Sequence, residues 1–282
     1  MRDGFDVLVR MTTCTAAVEL SHRVYGAGSP VLFLPPAGTR SDIWLAYQVP
    51  AVVAAGYQAI VADNRGTPPS PVPPGPYRLA DFAADTASLI GTLGQGACTV
   101  VGASLGAMVA QELAVRHPEL VHAVALLGTR RRADTFRQML ARAAVERMLA
   151  TAPVGHADVV AQLTQMFGPG TLADDQAVAD WSELIRRFPV RGHGPAAQHE
   201  AVMNAGHSDS LSRIGCPCLV MAFEADVVTP PACCREVAEA IPGCQYVEIT
   251  GAGHLGFLER PDAVNSALTG FLAATAGRPG GS

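Results

Sequence analysis

The amino-acid sequence predicts an α/β fold: a mostly parallel sheet with helices on both faces and a further group of helices inserted into it. Three observations predict this fold. Short apolar runs bounded by glycine or proline alternate with helical stretches in the first half of the chain. A long helical stretch then interrupts the alternation, and a Gly-x-Ser-x-Gly sequence lies at one strand-to-helix junction. The 282 residues, 49% of them hydrophobic, suffice for a large core.

Five apolar runs are predicted to be buried strands, with helices between the first four. The strands cover residues 31–34, 59–62, 98–101, 124–127 and 218–223, and the helices cover 44–55, 79–93 and 106–116. Because the runs are almost continuously apolar, we expect both faces of the sheet to be covered, as in parallel sheets. The loop 68–76 holds six prolines in nine residues and is predicted to be a stiff surface excursion.

Residues 131–208 are the predicted insertion. The helices expected in it cover residues 133–150, 157–167 and 174–187, with glycine and proline between them. A helical insertion in an α/β chain indicates a cap over one end of the sheet. The predicted domains are therefore a discontinuous core, residues 16–130 and 209–275, and a helical cap, residues 131–208.

Composition excludes several classes of function. Charged residues make up 16% of the chain and the net charge is −5, so no nucleic-acid partner is expected. All 20 positively charged residues are arginine, which excludes Schiff-base lysines, pyridoxal-phosphate attachment and a Walker-type phosphate loop. No apolar stretch has the length of a signal-peptide core or a membrane span, so we expect a cytoplasmic protein without a membrane partner.

The cysteine pattern predicts neither a metal site nor disulfides. The seven cysteines are Cys14, Cys98, Cys216, Cys218, Cys233, Cys234 and Cys244. None belongs to a Cys-x-x-Cys pair, and structural zinc sites prefer that wider spacing. We therefore expect reduced thiols in a reducing compartment.

The sequence Gly102-Ala-Ser104-Leu-Gly106 is the strongest chemical signal in the chain. It follows a predicted strand and precedes a predicted helix. Such a sharp turn strains the serine backbone and leaves no room for side chains at the flanking glycines. The turn exposes the hydroxyl close to a helix N-terminus, which stabilises developing negative charge. Ser104 is therefore the predicted nucleophile.

A nucleophilic serine needs a histidine base and an acid that orients the histidine. His254 follows the apolar stretch 246–249 and is the predicted base, because a loop after the last strand can reach over the nucleophile. Asp226, beyond the strand 218–223, is the predicted acid, with Glu224 as the competing candidate. His117 is expected at a helix end, and His122, His156, His193, His199 and His207 are expected to be surface or cap residues. Of these, His199 and His207 could line the interior of the cap.

Four segments together resemble the α/β-hydrolase superfamily over roughly residues 16–275. They are the Gly-Ala-Ser-Leu-Gly sequence, residues 63–66 with Ser70, residues 224–230, and residues 251–261, which end in Glu-Arg-Pro. The resemblance implies a triad of Ser104, Asp226 and His254 in that chain order. It also implies a helical cap after the sixth strand, where residues 131–208 fall.

One departure concerns the site where such enzymes stabilise an oxyanion. The superfamily often has His-Gly after the strand 31–34, whereas this chain has Pro35-Pro36. Proline has no N–H to donate, so the resemblance places the two donors at the N–H groups of Ala37 and Leu105. We expect the geometry around Ala37 to differ from that of a common esterase.

The mechanism implied by these residues requires no metal and no organic cofactor. His254 removes the proton from Ser104 as its oxygen attacks a carbonyl carbon, and Asp226 stabilises the imidazolium that forms. Water activated by the same histidine then releases the acid.

The substrate is less strongly indicated, and a small molecule or short peptide is expected. The candidate pocket residues are Trp44, Phe136, Met139, Trp181 and Met203, together with Met166 and Phe188, although all of them could instead pack the helices. The run Arg130-Arg131-Arg132 opens the cap and is either a carboxylate-binding group or a solvated face.

Three functions follow from these observations. The first is a serine hydrolase for a small to medium apolar ester, thioester or lactone. The second is a non-hydrolytic tailoring enzyme of a natural-product pathway, an isomerase, epimerase or lyase, which a weakened oxyanion site would suit. The third, a binding protein with a vestigial triad, is disfavoured because Ser104, Asp226 and His254 are all present.

Overall fold

The computed structural model describes residues 16–206 and 210–276, and within them a seven-stranded sheet. The strands are β1 (His22–Tyr25), β2 (Pro30–Leu34), β3 (Gln58–Ala62), β4 (Cys98–Ala103), β5 (Val121–Leu127), β6 (Cys218–Phe223) and β7 (Gln245–Ile249). They lie in the order β1-β3-β2-β4-β5-β6-β7, and only β1 runs antiparallel to its neighbour. The predicted α/β fold with a mostly parallel sheet is confirmed.

Eleven α-helices lie between and after the strands in the described residues. They are α1 (Gln48–Ala54), α2 (Leu79–Leu93), α3 (Leu105–Arg116), α4 (Thr135–Leu149), α5 (His156–Met166), α6 (Pro169–Leu172), α7 (Asp175–Arg187), α8 (His193–Met203), α9 (Pro231–Ala240), α10 (Gly256–Glu259) and α11 (Pro261–Thr275). The expected helix 44–55 is instead a 3₁₀ turn, Ser41–Trp44, followed by α1. Pro50 fits there because it lies in the first turn of α1, where no intrahelical N–H is needed.

Two apolar cores cover the two faces of the sheet. Side chains of α2, α3 and α9 pack on one face, and side chains of α1 and α11 pack on the other. The strands β2 and β4 to β6 are buried along nearly their whole length, which explains their continuous apolar sequences. Strand β1 has three exposed residues and no apolar run, so hydrophobic periodicity did not predict it.

The helices α4 to α8, here called the helical insertion, lie between β5 and β6 in the chain. They follow the fifth described strand, whereas the family resemblance implied the sixth; residues 1–15 lie outside the described part. Helix α4 starts after Asp134, whose carboxylate accepts the N–H of Arg137 at 2.9 Å. Helix α8, which sequence analysis did not predict, packs against α4 through alanines.

The described residues contain no helix that is both long and apolar enough to cross a bilayer. Their cysteines are free thiols, and Cys14 lies outside the described residues.

Candidate active site

Ser104 lies at the carboxyl end of β4, immediately before α3. Its backbone has φ 53° and ψ −112°, a conformation that is strained for any residue with a side chain. A Cβ at Gly102 would approach the carbonyl oxygen of Gly106 to 2.2 Å, and a Cβ at Gly106 would approach that of Leu34 to 2.1 Å. Both glycines are therefore required, as the sequence predicted. The N–H of Ser104 donates to Leu127 at 3.0 Å and ties the turn to β5.

Asp226 and His254 form a buried pair at the ends of neighbouring strands β6 and β7. His254 Nδ1 lies 2.7 Å from Asp226 Oδ2, and the two residues are 5% and 2% exposed. The other carboxylate oxygen accepts the N–H groups of Val228 at 2.7 Å and Thr229 at 2.9 Å. Burial alone would raise the pKa of Asp226, but His254 and these hydrogen bonds outweigh it and lower that pKa. The carboxylate is thus ionised and fixed against the imidazole.

Thr229 completes this arrangement. Its hydroxyl donates to Asp226 Oδ2 at 2.7 Å and lies 3.3 Å from His254 Nδ1. The competing acid, Glu224, points elsewhere, because its Oε2 accepts the N–H of Gly251 at 2.7 Å at an exposed position. The geometry therefore selects Asp226 as the partner of His254.

The loop after β2 begins beside the turn that carries Ser104, because β2 and β4 are neighbouring parallel strands. Ala37 lines the same cavity as Ser104, and its N–H has no hydrogen-bond partner in the described residues. Leu105 is the first residue of α3, so its N–H points out of the helix without an intrahelical acceptor. Neither of the two N–H groups expected from the sequence thus has a hydrogen-bond acceptor in the described residues.

Gln198, on α8, holds the loop after β2 in place. Its Oε1 accepts the N–H of Gly38 at 2.6 Å, and its Nε2 donates to the carbonyl of Arg65 at 2.6 Å and to Thr67 Oγ1 at 2.9 Å. The side chain is completely buried. One residue of the helical insertion therefore fixes the residue that follows Ala37.

A cavity of about 190 Å³ lies between the core and the helical insertion, and Ser104 and His254 both line it. Most of the remaining wall is apolar. The insertion contributes Leu140, Ala141, Ala144, Met148, Met166, Val190 and Val202, among others. The serine and the histidine therefore border the same, largely apolar cavity.

Several predicted pocket residues do not line this cavity. Trp44 is fully buried in the core, where its ring centroid lies 5.3 Å from that of Phe33 and 4.6 Å from that of Phe257. Phe136 and Met139 are 52% and 61% exposed, because α4 turns a different face inward. That face follows helical spacing from residue 137 through 140, 141 and 144 to 148.

Of the other predicted pocket residues, one lines the cavity and three do not. Trp181 packs on Phe167 within the helical insertion, with centroids 4.7 Å apart. Met203 lies at the end of α8 and Phe188 is 66% exposed; neither lines the cavity. Met166 does line it.

His199 is the one predicted interior histidine that the structure places at the cavity, since His207 lies outside the described residues. Its Nδ1 lies 3.0 Å from the carbonyl oxygen of Pro195 on the preceding turn, to which it donates. Burial is the main reason that its pKa falls to about 4; the nearby charges of Arg147 and His254 act in the same direction, and the hydrogen bond to Pro195 opposes them. The imidazole is therefore neutral at pH 7, with Nε2 left as an acceptor.

Sequence reasoning missed Gln198 and Thr229. Nothing in the sequence around Gln198 marks it, because its partners are far away in the chain. Thr229 carried a usable signal: it follows Asp226 by three residues, a spacing at which side-chain and backbone hydrogen bonds to an aspartate are common. No group of His, Cys, Asp and Glu side chains suited to a metal ion occurs in residues 16–206 and 210–276.

Comparisons with known proteins identify the family to which this fold belongs. The chain matches the model of the α/β-hydrolase fold family over residues 29–261. It is 40% identical over 259 residues to a Mycobacterium tuberculosis protein named as a non-heme bromoperoxidase, BpoC, a match that covers 91% of this chain and 98% of the relative. The crystal structure of BpoC aligns with a TM-score of 0.85 and covers 92% of this chain and 97% of that one.

Two further relatives bear the names of hydrolases. A protein of Azorhizobium caulinodans named as a carbamate hydrolase, RutD, is 28% identical over 255 residues, which cover 90% of this chain and 94% of the relative. The crystal structure of the enol-lactonase from Burkholderia xenovorans is 28% identical with a TM-score of 0.77, and the match covers 92% and 99% of the two chains. The chain belongs to the α/β-hydrolase family and is a hydrolytic enzyme of that family.

Proposed function

We propose that the protein is a serine hydrolase that cleaves a small to medium ester, thioester or lactone through an acyl-enzyme on Ser104. The observation that carries the proposal is the buried Asp226–His254 pair, joined at 2.7 Å, on a cavity that the strained Ser104 also lines. A structural role alone gives no reason to hold a serine at φ 53° beside a histidine whose tautomer is fixed.

His254 acts as the base in this mechanism. Asp226 accepts the Nδ1–H, so Nε2 is free to take the proton of Ser104 as its oxygen attacks the carbonyl carbon. The N–H groups of Ala37 and Leu105 stabilise the oxyanion. The imidazolium then protonates the leaving group, and water activated by His254 releases the acid and regenerates Ser104.

The two prolines after β2 leave this scheme intact. Pro35 and Pro36 lie before the residue that donates, and Gly38 is engaged by Gln198. Ala37 is then the free donor of that loop. The helices α4 to α8 serve as a cap in this proposal, since they supply the apolar wall that receives the substrate and excludes water.

The test is turnover of 4-nitrophenyl esters, thioesters and simple lactones by the parent enzyme and by Ser104→Ala. We expect the parent to hydrolyse at least one class and the variant to lose about 10⁴-fold or more in kcat. Turnover that survives in a folded Ser104→Ala variant would contradict the proposal and direct attention to isomerase, epimerase or lyase chemistry.

The name of the 40% identical relative favours a second activity at the same site. If hydrogen peroxide attacks the acyl carbon in place of water, the acyl-enzyme releases a peracid and Ser104 regains its proton. A peracid oxidises bromide. Bromination of a reporter that needs both peroxide and a carboxylic acid, and that is lost in Ser104→Ala, would support this activity; bromination that persists in the variant would refute it.

A further inference from the structure

The wall of the cavity is cationic as well as apolar. Arg130, Arg137 and Arg147 line it, and no aspartate or glutamate of the described residues does. The reaction proposed above uses none of these arginines. A site that accepts only neutral esters has no need for three guanidinium groups in its wall.

Arg130 is the arginine whose charge is least compensated. Its side chain is 2% exposed, and Nη2 donates to the carbonyl oxygen of Val202 at 2.8 Å. Nε of Arg130 is buried and has no hydrogen-bond partner in the described residues. No carboxylate within residues 16–206 and 210–276 forms a salt bridge with the Arg130 side chain. Burial lowers the pKa of Arg130 to about 10, so the group is still a cation at pH 7. A buried cation without a counter-ion is strongly unfavourable, unless a ligand supplies the charge.

The other two arginines differ in this respect. Arg137 is bound by Asp134, with Nη1 and Oδ2 2.8 Å apart, and by the carbonyl oxygen of Val228 at 3.2 Å. The guanidinium group of Arg147 has no hydrogen bond or salt bridge in the described residues, but this side chain is only half-buried and therefore partly hydrated. Arg130 is thus the side chain best prepared to bind an anion from the cavity.

We propose that the substrate carries a carboxylate in addition to the bond that is cleaved, and that Arg130 binds this carboxylate. The inference rests on the proposed function and names its substrate class. A guanidinium with a free Nε–H binds a carboxylate through directed, charge-assisted hydrogen bonds. The apolar wall then surrounds the chain between the carboxylate and the carbonyl group at Ser104.

The experiment compares matched substrates. The mono-4-nitrophenyl esters of adipic, pimelic and suberic acid are measured beside the same molecules with the free carboxylate converted to a primary amide. We expect the parent enzyme to prefer the carboxylate of the best chain length by about tenfold or more in kcat/KM. In Arg130→Gln that preference should fall to about one.

Arg132→Gln is the matched control, because it removes the same charge two positions away at an exposed side chain outside the cavity. It should keep the preference of the parent. Arg130→Lys should keep part of it, since a point charge attracts the carboxylate without the directed Nε–H. If Arg147→Gln abolishes the preference while Arg130→Gln does not, the assignment to Arg130 is wrong.

A binding measurement separates this inference from the proposed function. We expect adipate, but not adipamide, to raise the melting temperature of Ser104→Ala, and this rise to be lost in the Ser104→Ala, Arg130→Gln double variant. A parent that hydrolyses the amide esters without preferring carboxylates refutes the inference and leaves the serine hydrolase standing. If the parent hydrolyses none of the esters, but adipate still raises the melting temperature in a way that depends on Arg130, the anion site is supported and the serine hydrolase is refuted.

Discussion

The two walls of the cavity are built in different ways. On the core side, Ser104, Asp226 and His254 follow the ends of three strands and are fixed by backbone geometry, close glycine contacts and the buried hydrogen bond between Asp226 and His254. On the insertion side, side chains of α4, α5 and α8 form the wall. Where α4 packs against α8, the buried apolar residues are Ala144, Met148 and Ala196.

This difference separates chemistry from selectivity. A backbone that admits only glycine at 102 and 106 leaves the core side little freedom to change. The insertion side can exchange single side chains without disturbing the sheet. The exception is Gln198, which belongs to the insertion but holds the loop after β2. The following substitutions test this division, in order of decreasing expected effect.

The core side should respond most strongly. Asp226→Asn keeps the size of the side chain but loses the charge that fixes the His254 tautomer, and we expect kcat to fall by about 10⁴-fold. Glu224→Gln is the control, because that side chain accepts only the N–H of Gly251 among the described contacts and should change kcat less than threefold, roughly. Steady-state kinetics of the two variants decide the matter. Equal losses would mean that the acid has been misassigned.

Gln198→Met is a change on the insertion side that should affect catalysis on the core side. Removing the amide frees Gly38 and relaxes the loop that carries Ala37, so we expect kcat to fall by about 10- to 100-fold with little change in KM. Gln48→Met, another fully buried glutamine, bonds to Phe257 away from the cavity and should alter stability without this loss of kcat. A purely structural role for Gln198 predicts that both variants behave alike.

Acid should destabilise the protein through His199. The folded-state pKa of about 4 lies below the ordinary value near 6.5, so the unfolded chain takes up a proton that the folded chain refuses. The stabilising contribution of neutral His199 is complete above pH ~6.5 and is lost as the pH falls toward about 4. We expect His199→Gln to reduce the drop in melting temperature over this range by about 3–6 °C.

Thermal scans from pH 7 to pH 4 test that expectation. His193→Gln, at the exposed start of the same helix, serves as the control and should follow the parent. Parallel pH curves for the parent and His199→Gln would show that His199 does not contribute.

Adjacent positions on α4 should give the smallest effects. Leu140 lines the cavity, and Leu140→Gln places an amide in an apolar wall, so we expect KM to rise by about threefold to tenfold. Met139→Gln changes a side chain that is 61% exposed and should change KM less than about twofold. The opposite order would place the substrate on a different face of α4.

The sequence predicted the core side far better than the insertion side. Continuous apolar runs indicate parallel strands, and the Ser104 turn can form only with glycine at both flanks. Local sequence patterns were therefore sufficient to predict the core side. The exposed strand β1 was not predicted because it lacks such a run.

The insertion side depended on how helices pack, which local patterns do not determine. Trp44 looked like a pocket residue but fills the core beneath the sheet, where a large aromatic side chain buries the most surface. The inward face of α4 combines Leu140 and Met148 with two alanines and two arginines, so ranking residues by hydrophobicity selected the wrong face. Gln198 became visible only when its distant partners were brought together.

The proposed mechanism requires Ser104 to be an activated nucleophile. Intact mass after treatment with a fluorophosphonate probe tests this requirement in the parent and in Ser104→Ala. We expect a single adduct on the parent and none on the variant. A folded parent without an adduct, or an equal adduct on both proteins, would contradict it.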